Sequence, residues 1–156
     1  MSDGAATERT ARPSGGSALP ESPSTTARDI ALLILRVGIG VSFVFVYGWG
    51  KISGGTEAWT GLGQNMAVFG ITVYPVVWGF LGAFAEFVGG ICLMLGLFLR
   101  PALVLLLGTM TVAATGHITG AIDGGPWHAI EMATVFLALM VTGPGRYSVD
   151  HLLGRA

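Results

Sequence analysis

Residues 75–99 read PVVWGFLGAFAEFVGGICLMLGLFL, an apolar run in which Glu86 is the one ionisable carboxylate. A helix needs roughly 20 apolar residues to cross the hydrocarbon core of a bilayer, within a range of about 17–25. This stretch satisfies that length, and three others flank it. Residues 30–50 read IALLILRVGIGVSFVFVYGWG, 101–118 read PALVLLLGTMTVAATGHI, and 127–142 read WHAIEMATVFLALMVT. The last is short and needs a locally thinner bilayer or help from its flanks. None alternates polar and apolar side chains, as the strand of a membrane barrel would. The expected fold is all-α: a four-helix transmembrane bundle, with spans at 30–50, 75–99, 101–118 and 127–142, preceded by a disordered tail.

Composition points the same way. Of 156 residues, 52% are hydrophobic and 11% charged, about half the charged share of a typical soluble domain. Mean hydropathy is +0.70. The formal net charge of −1 leaves no basic surplus to hold nucleic acid. Cys92, the single cysteine, excludes an intrachain disulfide framework, a CxxC redox motif and a four-cysteine zinc site. Its expected role is that of a small buried hydrophobe.

Residues 1–29 are rich in Ser, Thr, Ala, Gly and Pro, with Leu19 the only large aliphatic after Met1. Such a stretch cannot bury enough apolar surface to offset chain entropy and reads as a disordered cytoplasmic tail. It lacks the basic start and apolar h-region of a signal peptide. Residues 30–156 form the transmembrane domain. Lys and Arg bias sets orientation. With the N-terminus inside, Arg9, Arg12, Arg28, Arg100, Arg146 and Arg155 are cytoplasmic and only Lys51 is outside. Both termini are therefore expected in the cytoplasm of a multi-pass inner (plasma) membrane protein.

Arg100-Pro101 is nearly the whole expected link between the second and third spans, and 119–126 is a glycine-rich turn. The connection 51–74 is longer. In it Trp59, Leu62, Met66, Phe69 and Gly70 recur at helical steps, which predicts a short helix lying on the membrane surface. Gly143-Pro144-Gly145 ends the fourth span and turns the chain into the cytoplasm, with Tyr147 an interfacial anchor.

A charge at the bilayer centre costs about 2.5–3.5 kcal/mol on insertion scales, so the ionisable residues in and beside the spans are the candidate polar pocket. They are Arg36, Lys51, Glu86, His117, His128 and Glu131. At about 1.5 Å rise per residue, Arg36 and Glu86 differ in height by about 5 Å, which makes an ion pair one reading. Snorkelling of Arg36 and a protonated Glu86 are the alternatives. Gly79, Gly82, Gly89 or Gly90, and Gly96 share a stripe with Glu86, a small face that lets helices approach closely. His128 and Glu131, spaced i, i+3, share a face of the fourth span. With His117 and Lys51 they are expected to form an outer polar cluster. Three readings fit such a cluster: a hydrogen-bonded structural group first, then proton handling or a quinone head, and a metal site built from imidazole and carboxylate. The spacing gives no tight metal-ligand motif, and no metal is assigned.

Four blocks in order resemble the DoxX family of small four-helix bacterial membrane proteins. They are LRVGIGVSFVFVYGWGKISG (35–54), WGFLGAFAEFVGGICLMLGLFLRP (78–101), MTVAATGHI (110–118) and HAIEMATVFLALMVTGPGRYSVDH (128–151). The resemblance implies an inner-membrane protein. The family is named for similarity to a subunit of a thiosulfate:quinone oxidoreductase, and relatives occur in redox and oxidative-stress settings. The function so implied is a membrane subunit of a redox or oxidative-stress system, quinone-linked and working with redox-related partner proteins. The alternative is a non-enzymatic scaffold that recruits partners to the lipid bilayer. Whether the chain is itself an enzyme, and whether it forms a homo-oligomer, stay open at this level.

Overall fold

The computed structural model describes residues 23–155; residues 1–22, most of the expected tail, lie outside the described residues. The described residues are helical nearly throughout. In order come α1 (Pro23–Val41), a π-helical stretch (Ser42–Gly48), α2 (Trp49–Ser53), α3 (Gly55–Gln64) and a 3-10 turn (Asn65–Phe69). Then follow α4 (Pro75–Leu95), α5 (Leu99–Ile118), α6 (Trp127–Thr142) and α7 (Val149–Leu152). Three helical runs are long and apolar enough to cross a membrane: Thr25–Ser53, Pro75–Leu95 and Leu99–Ile118. The shorter apolar α6 is the fourth member of the bundle.

Helix α1 begins at Pro23, so 23–29, expected in the tail, is helical. Proline fits a first helical turn because its missing N–H has no intrahelical partner there. Contacts with the far end of the chain hold this turn. The Arg28 guanidinium donates to the Thr142 carbonyl (3.0 Å). Buried Asp29 accepts from the Arg146 N–H (3.3 Å).

The core forms where α1, the π stretch, α4, α5 and α6 meet. Phe43, Leu93, Leu103, Leu106, Phe136 and Leu139 are fully enclosed. Phe43 meets Phe136 edge-on, with ring centroids 5.3 Å apart, and this closes α6 onto the first span. Outward, Ile34, Phe45, Val46, Leu81, Val104 and Leu137 stay exposed, the pattern of helices whose outer faces meet acyl chains rather than water.

The turn between α4 and α5 falls at 96–98, earlier than Arg100-Pro101. Gly96 ends α4 in the left-handed conformation (φ 64°), and Arg100 and Pro101 lie in the first turn of α5. The C-terminal segment then folds back beneath this turn instead of leaving the bundle. Buried Asp150 accepts from the N–H groups of Phe98 and Leu99, both at 2.9 Å. Its carboxylate thus satisfies two orphan donors at the positive end of α5. Asp150→Ala is expected to cost about 2 kcal/mol, read as a lower midpoint in thermal unfolding of the purified protein. Wild-type stability in this variant would contradict the capping role.

Candidate functional site: a cleft ending on Lys51 and Glu86

Helix α4 runs antiparallel to the first span, and glycines set the separation. A Cβ added at Gly40 would come within 2.8 Å of the Gly90 carbonyl oxygen, and one at Gly48 within 2.8 Å of the Phe87 Cα. Backbone-to-backbone approach of this kind needs residues without side chains. The stripe on α4 nevertheless serves several neighbours, not one. Gly90 meets Phe43 and Val44, Gly89 meets Leu106 of α5, and Gly96 meets Arg36.

This register corrects the reading of Arg36 as a partner of Glu86. Arg36 lies at the level of Gly96, ten residues from Glu86 on α4 by numbering (96 − 86), or roughly 15 Å along the axis. It is fully buried and donates from Nη2 to the Tyr147 carbonyl (2.6 Å). It does not pair with Glu86; its guanidinium reaches toward the C-terminal segment instead.

Glu86 is held instead by Lys51. The Lys51 Nζ donates to Glu86 Oε2 at 2.5 Å, with the carboxylate side chain 7% exposed and the lysine 36%. The π stretch precedes this contact. A π turn holds more residues than an α turn and often marks functional positions. On either side of it Arg36 and Lys51 both face α4, at different heights. The Trp59 indole Nε1–H then donates to the Lys51 carbonyl (2.9 Å), tying α3 to the end of the span.

Helix α3 is present in the 51–74 connection, but it does not lie free on a surface. It runs antiparallel along the first half of α4. A Cβ at Gly63 would overlap the Pro75 carbonyl, and one at Gly79 would overlap the Trp59 carbonyl. The Trp59 and Phe80 rings meet edge-on at 5.0 Å. Amphipathic spacing revealed the helix; its mate became visible only once Gly63 and Gly79 were seen in register.

Between α3, α4 and α5 this packing leaves a cleft of about 600 Å³. Lys51 and Glu86 line one part and His117 another, with Leu62, Trp78 and Val112 among the apolar walls. His117 Nδ1–H donates to the Ile122 carbonyl (3.2 Å). Neutral imidazole with that tautomer keeps its acceptor lone pair on Nε2.

Of the four residues expected in an outer cluster, Lys51 and His117 line the cleft with Glu86, and His128 lies near enough to Glu86 to act on its charge. His128 stacks on Tyr47, ring centroids 5.1 Å apart, on the side of the first span facing α6. Glu131 is exposed and does not line the cleft. Ala129, Phe136 and Leu139 define the inward face of α6, and 100° steps carry position 131 off that face. Sequence reasoning missed Trp59 as a polar partner, because its periodic position suggested only apolar packing. It also missed Asp150; the one available signal was a carboxylate close behind a glycine-rich stop.

Helices with lipid-facing exteriors and an ion pair enclosed between them define a multi-pass integral membrane protein. The profile of the DoxX family matches residues 31–118. The chain is 32% identical over 134 residues to the inner membrane protein YphA of Escherichia coli (strain K12), covering 80% of this chain and 91% of that protein. It is 30% identical over 131 residues to the inner membrane protein YqjF of the same organism, covering 81% and 95%. The chain belongs to the DoxX family. No solved structure matches it significantly.

Proposed function

We propose that the cleft receives the head of a lipid-soluble quinone. The protein would then serve as the quinone-linked membrane subunit of a redox or oxidative-stress system in the bacterial inner membrane, with both termini cytoplasmic. The observation that carries this reading is an ion pair at the wall of an otherwise apolar cleft between membrane helices. A quinone head needs apolar walls for its ring and hydrogen-bond donors for its two carbonyls. Trp78 and Phe84 supply the first, and the Lys51 ammonium supplies a donor for one carbonyl. The volume lies in the usual range of small-molecule sites, about 300–1,000 Å³. Reduction of a quinone to a quinol takes two electrons and two protons. In this reading a redox partner protein supplies the two electrons, and the Lys51 ammonium passes the two protons to the carbonyl oxygens in turn, regaining each from water, with Glu86 and His117 as proton acceptors beside it. The names of YphA and YqjF support inner-membrane placement, and the excess of arginine at the chain termini supports the orientation.

Trp78 provides the test. A short-chain benzoquinone titrated into the full chain in nanodiscs is expected to quench tryptophan fluorescence saturably. Gly108 lines the cleft, and a Cβ there meets nothing within 4 Å. Gly108→Leu should therefore occupy cleft space without disturbing packing, and weaken binding about tenfold or more, a change of about 1.4 kcal/mol. No saturable quenching, or equal affinity in the variant, would reject the proposal. Partner proteins that co-purify while quinone fails to bind would favour the scaffold instead.

A further inference from the structure

At the opposite end of α4 and α5 lies a second cleft, of about 430 Å³, between the starts of α1 and α5, the end of α6 and the C-terminal segment. Arg28, Arg100, Arg146 and Arg155 all line it, against Asp29 and Asp150. Both carboxylates already have work inside the protein. Asp150 accepts from the Phe98 and Leu99 N–H groups, and Asp29 from the Arg146 N–H. The start of α5 is thus closed by a side chain, and attraction for an anion comes from the guanidinium groups.

We propose that this cleft is a headgroup site for an anionic phospholipid, with the arginines holding its phosphodiester. Guanidinium forks match phosphate oxygens in pairs and are less strongly hydrated than ammonium groups. Two of them are already oriented by the protein: Arg28 by its bond to the Thr142 carbonyl, and Arg155 by the Phe98 ring, 4.9 Å from its centroid. The rim distinguishes a lipid from soluble phosphate. Val141 is 86% exposed and Phe98 52% exposed, and both line the cleft. Acyl chains can cover such a rim, whereas a free phosphate leaves it bare. The site is separate from the cleft at Lys51 and Glu86 and does not depend on the quinone reading.

Native mass spectrometry of the delipidated full chain tests this, with dioleoyl phosphatidylglycerol, dioleoyl phosphatidylcholine and inorganic phosphate as probes. Wild type is expected to retain phosphatidylglycerol at least about thirtyfold more tightly than phosphatidylcholine. An arginine near an anionic membrane surface is worth roughly fivefold in affinity, so Arg100→Gln/Arg155→Gln should remove most of that preference. Arg100→Lys/Arg155→Lys should retain the larger part, because the charge remains. Should the glutamine variant not fold, the wild-type preference must still shrink as sodium chloride rises from 0.05 to about 0.5 M, where screening shortens to a few ångströms. Equal retention of the two lipids, or a preference untouched by the glutamines or by salt, would overturn the proposal. Inorganic phosphate that binds alone and displaces phosphatidylglycerol at equal concentration would overturn the lipid assignment in favour of a soluble anion.

Discussion

Lys51→Met is expected to reduce the amount of protein in the membrane sharply, whereas Lys51→Met/Glu86→Leu restores most of it. The single change strands a carboxylate whose side chain is 7% exposed. Removing one partner of a buried pair typically costs about 3–5 kcal/mol, yet replacing both with apolar side chains is often near neutral. Total stability of a domain is only about 5–15 kcal/mol, so the single variant loses a large fraction. Glu86→Gln should be milder, because the lysine is 36% exposed and can reach away from the apolar interior. Unfolding by denaturing detergent, run on all three variants, checks the order. If Lys51→Met and the double variant unfold together, the pair does not hold the helices. The double variant also separates structure from activity: it should fold and yet bind the benzoquinone poorly.

Gly79→Ala is expected to be about as damaging, although it adds one methyl group. That methyl would occupy the place of the Trp59 carbonyl, and a carbonyl in a helical turn cannot rotate aside as a side chain can. Overpacking usually costs about 1–3 kcal/mol, occasionally more; here backbone meets backbone, and about 3 kcal/mol is expected. The displaced element is α3, so the indole bond from Trp59 to the Lys51 carbonyl should fail with it and quinone affinity should fall. Gly61→Ala, placed on α3 itself and with open space at its Cβ, is the control. It should stabilise the protein slightly, by up to about 1 kcal/mol, through helix propensity. Thermal unfolding and tryptophan emission, recorded side by side, distinguish the two. Equal behaviour of Gly79→Ala and Gly61→Ala would show that α3 does not depend on this contact.

Much of the architecture was legible before any coordinates. Long apolar runs at 30–50, 75–99 and 101–118 specify membrane helices because the bilayer fixes their length, and the stop at Gly143 carries a residue suited to positive φ, whereas Gly96 reads in the sequence as part of a helix face and not as the turn it makes. The polar contacts were less legible. Height arithmetic brought Arg36 near Glu86 because it assumed spans that start and stop level with one another. The first helix in fact begins at Pro23 and its neighbour α4 ends at Leu95, and their packing places Arg36 beside Gly96. Glu131 illustrates a second limit. Its spacing from His128 was read correctly, but spacing alone does not say which face a helix turns inward. Packing at Ala129, Phe136 and Leu139 decides that. The link from α3 to α4 depended on two glycines far apart in sequence, Gly63 and Gly79, each unremarkable until paired.

The wide turn at Ser42–Gly48 makes the first span sensitive to residue count as well as residue type. Arg36 before it and Lys51 after it are held in phase by the continuous helical backbone between them. Shortening this stretch by one residue would swing everything downstream by about a quarter turn, carrying the ammonium away from its carboxylate even though every side chain survived. The glycine-rich connector at 119–126 carries no such phase, and a residue gained or lost there leaves the helices on either side with their faces unchanged. Length is thus part of the specification in one segment and nearly irrelevant in another.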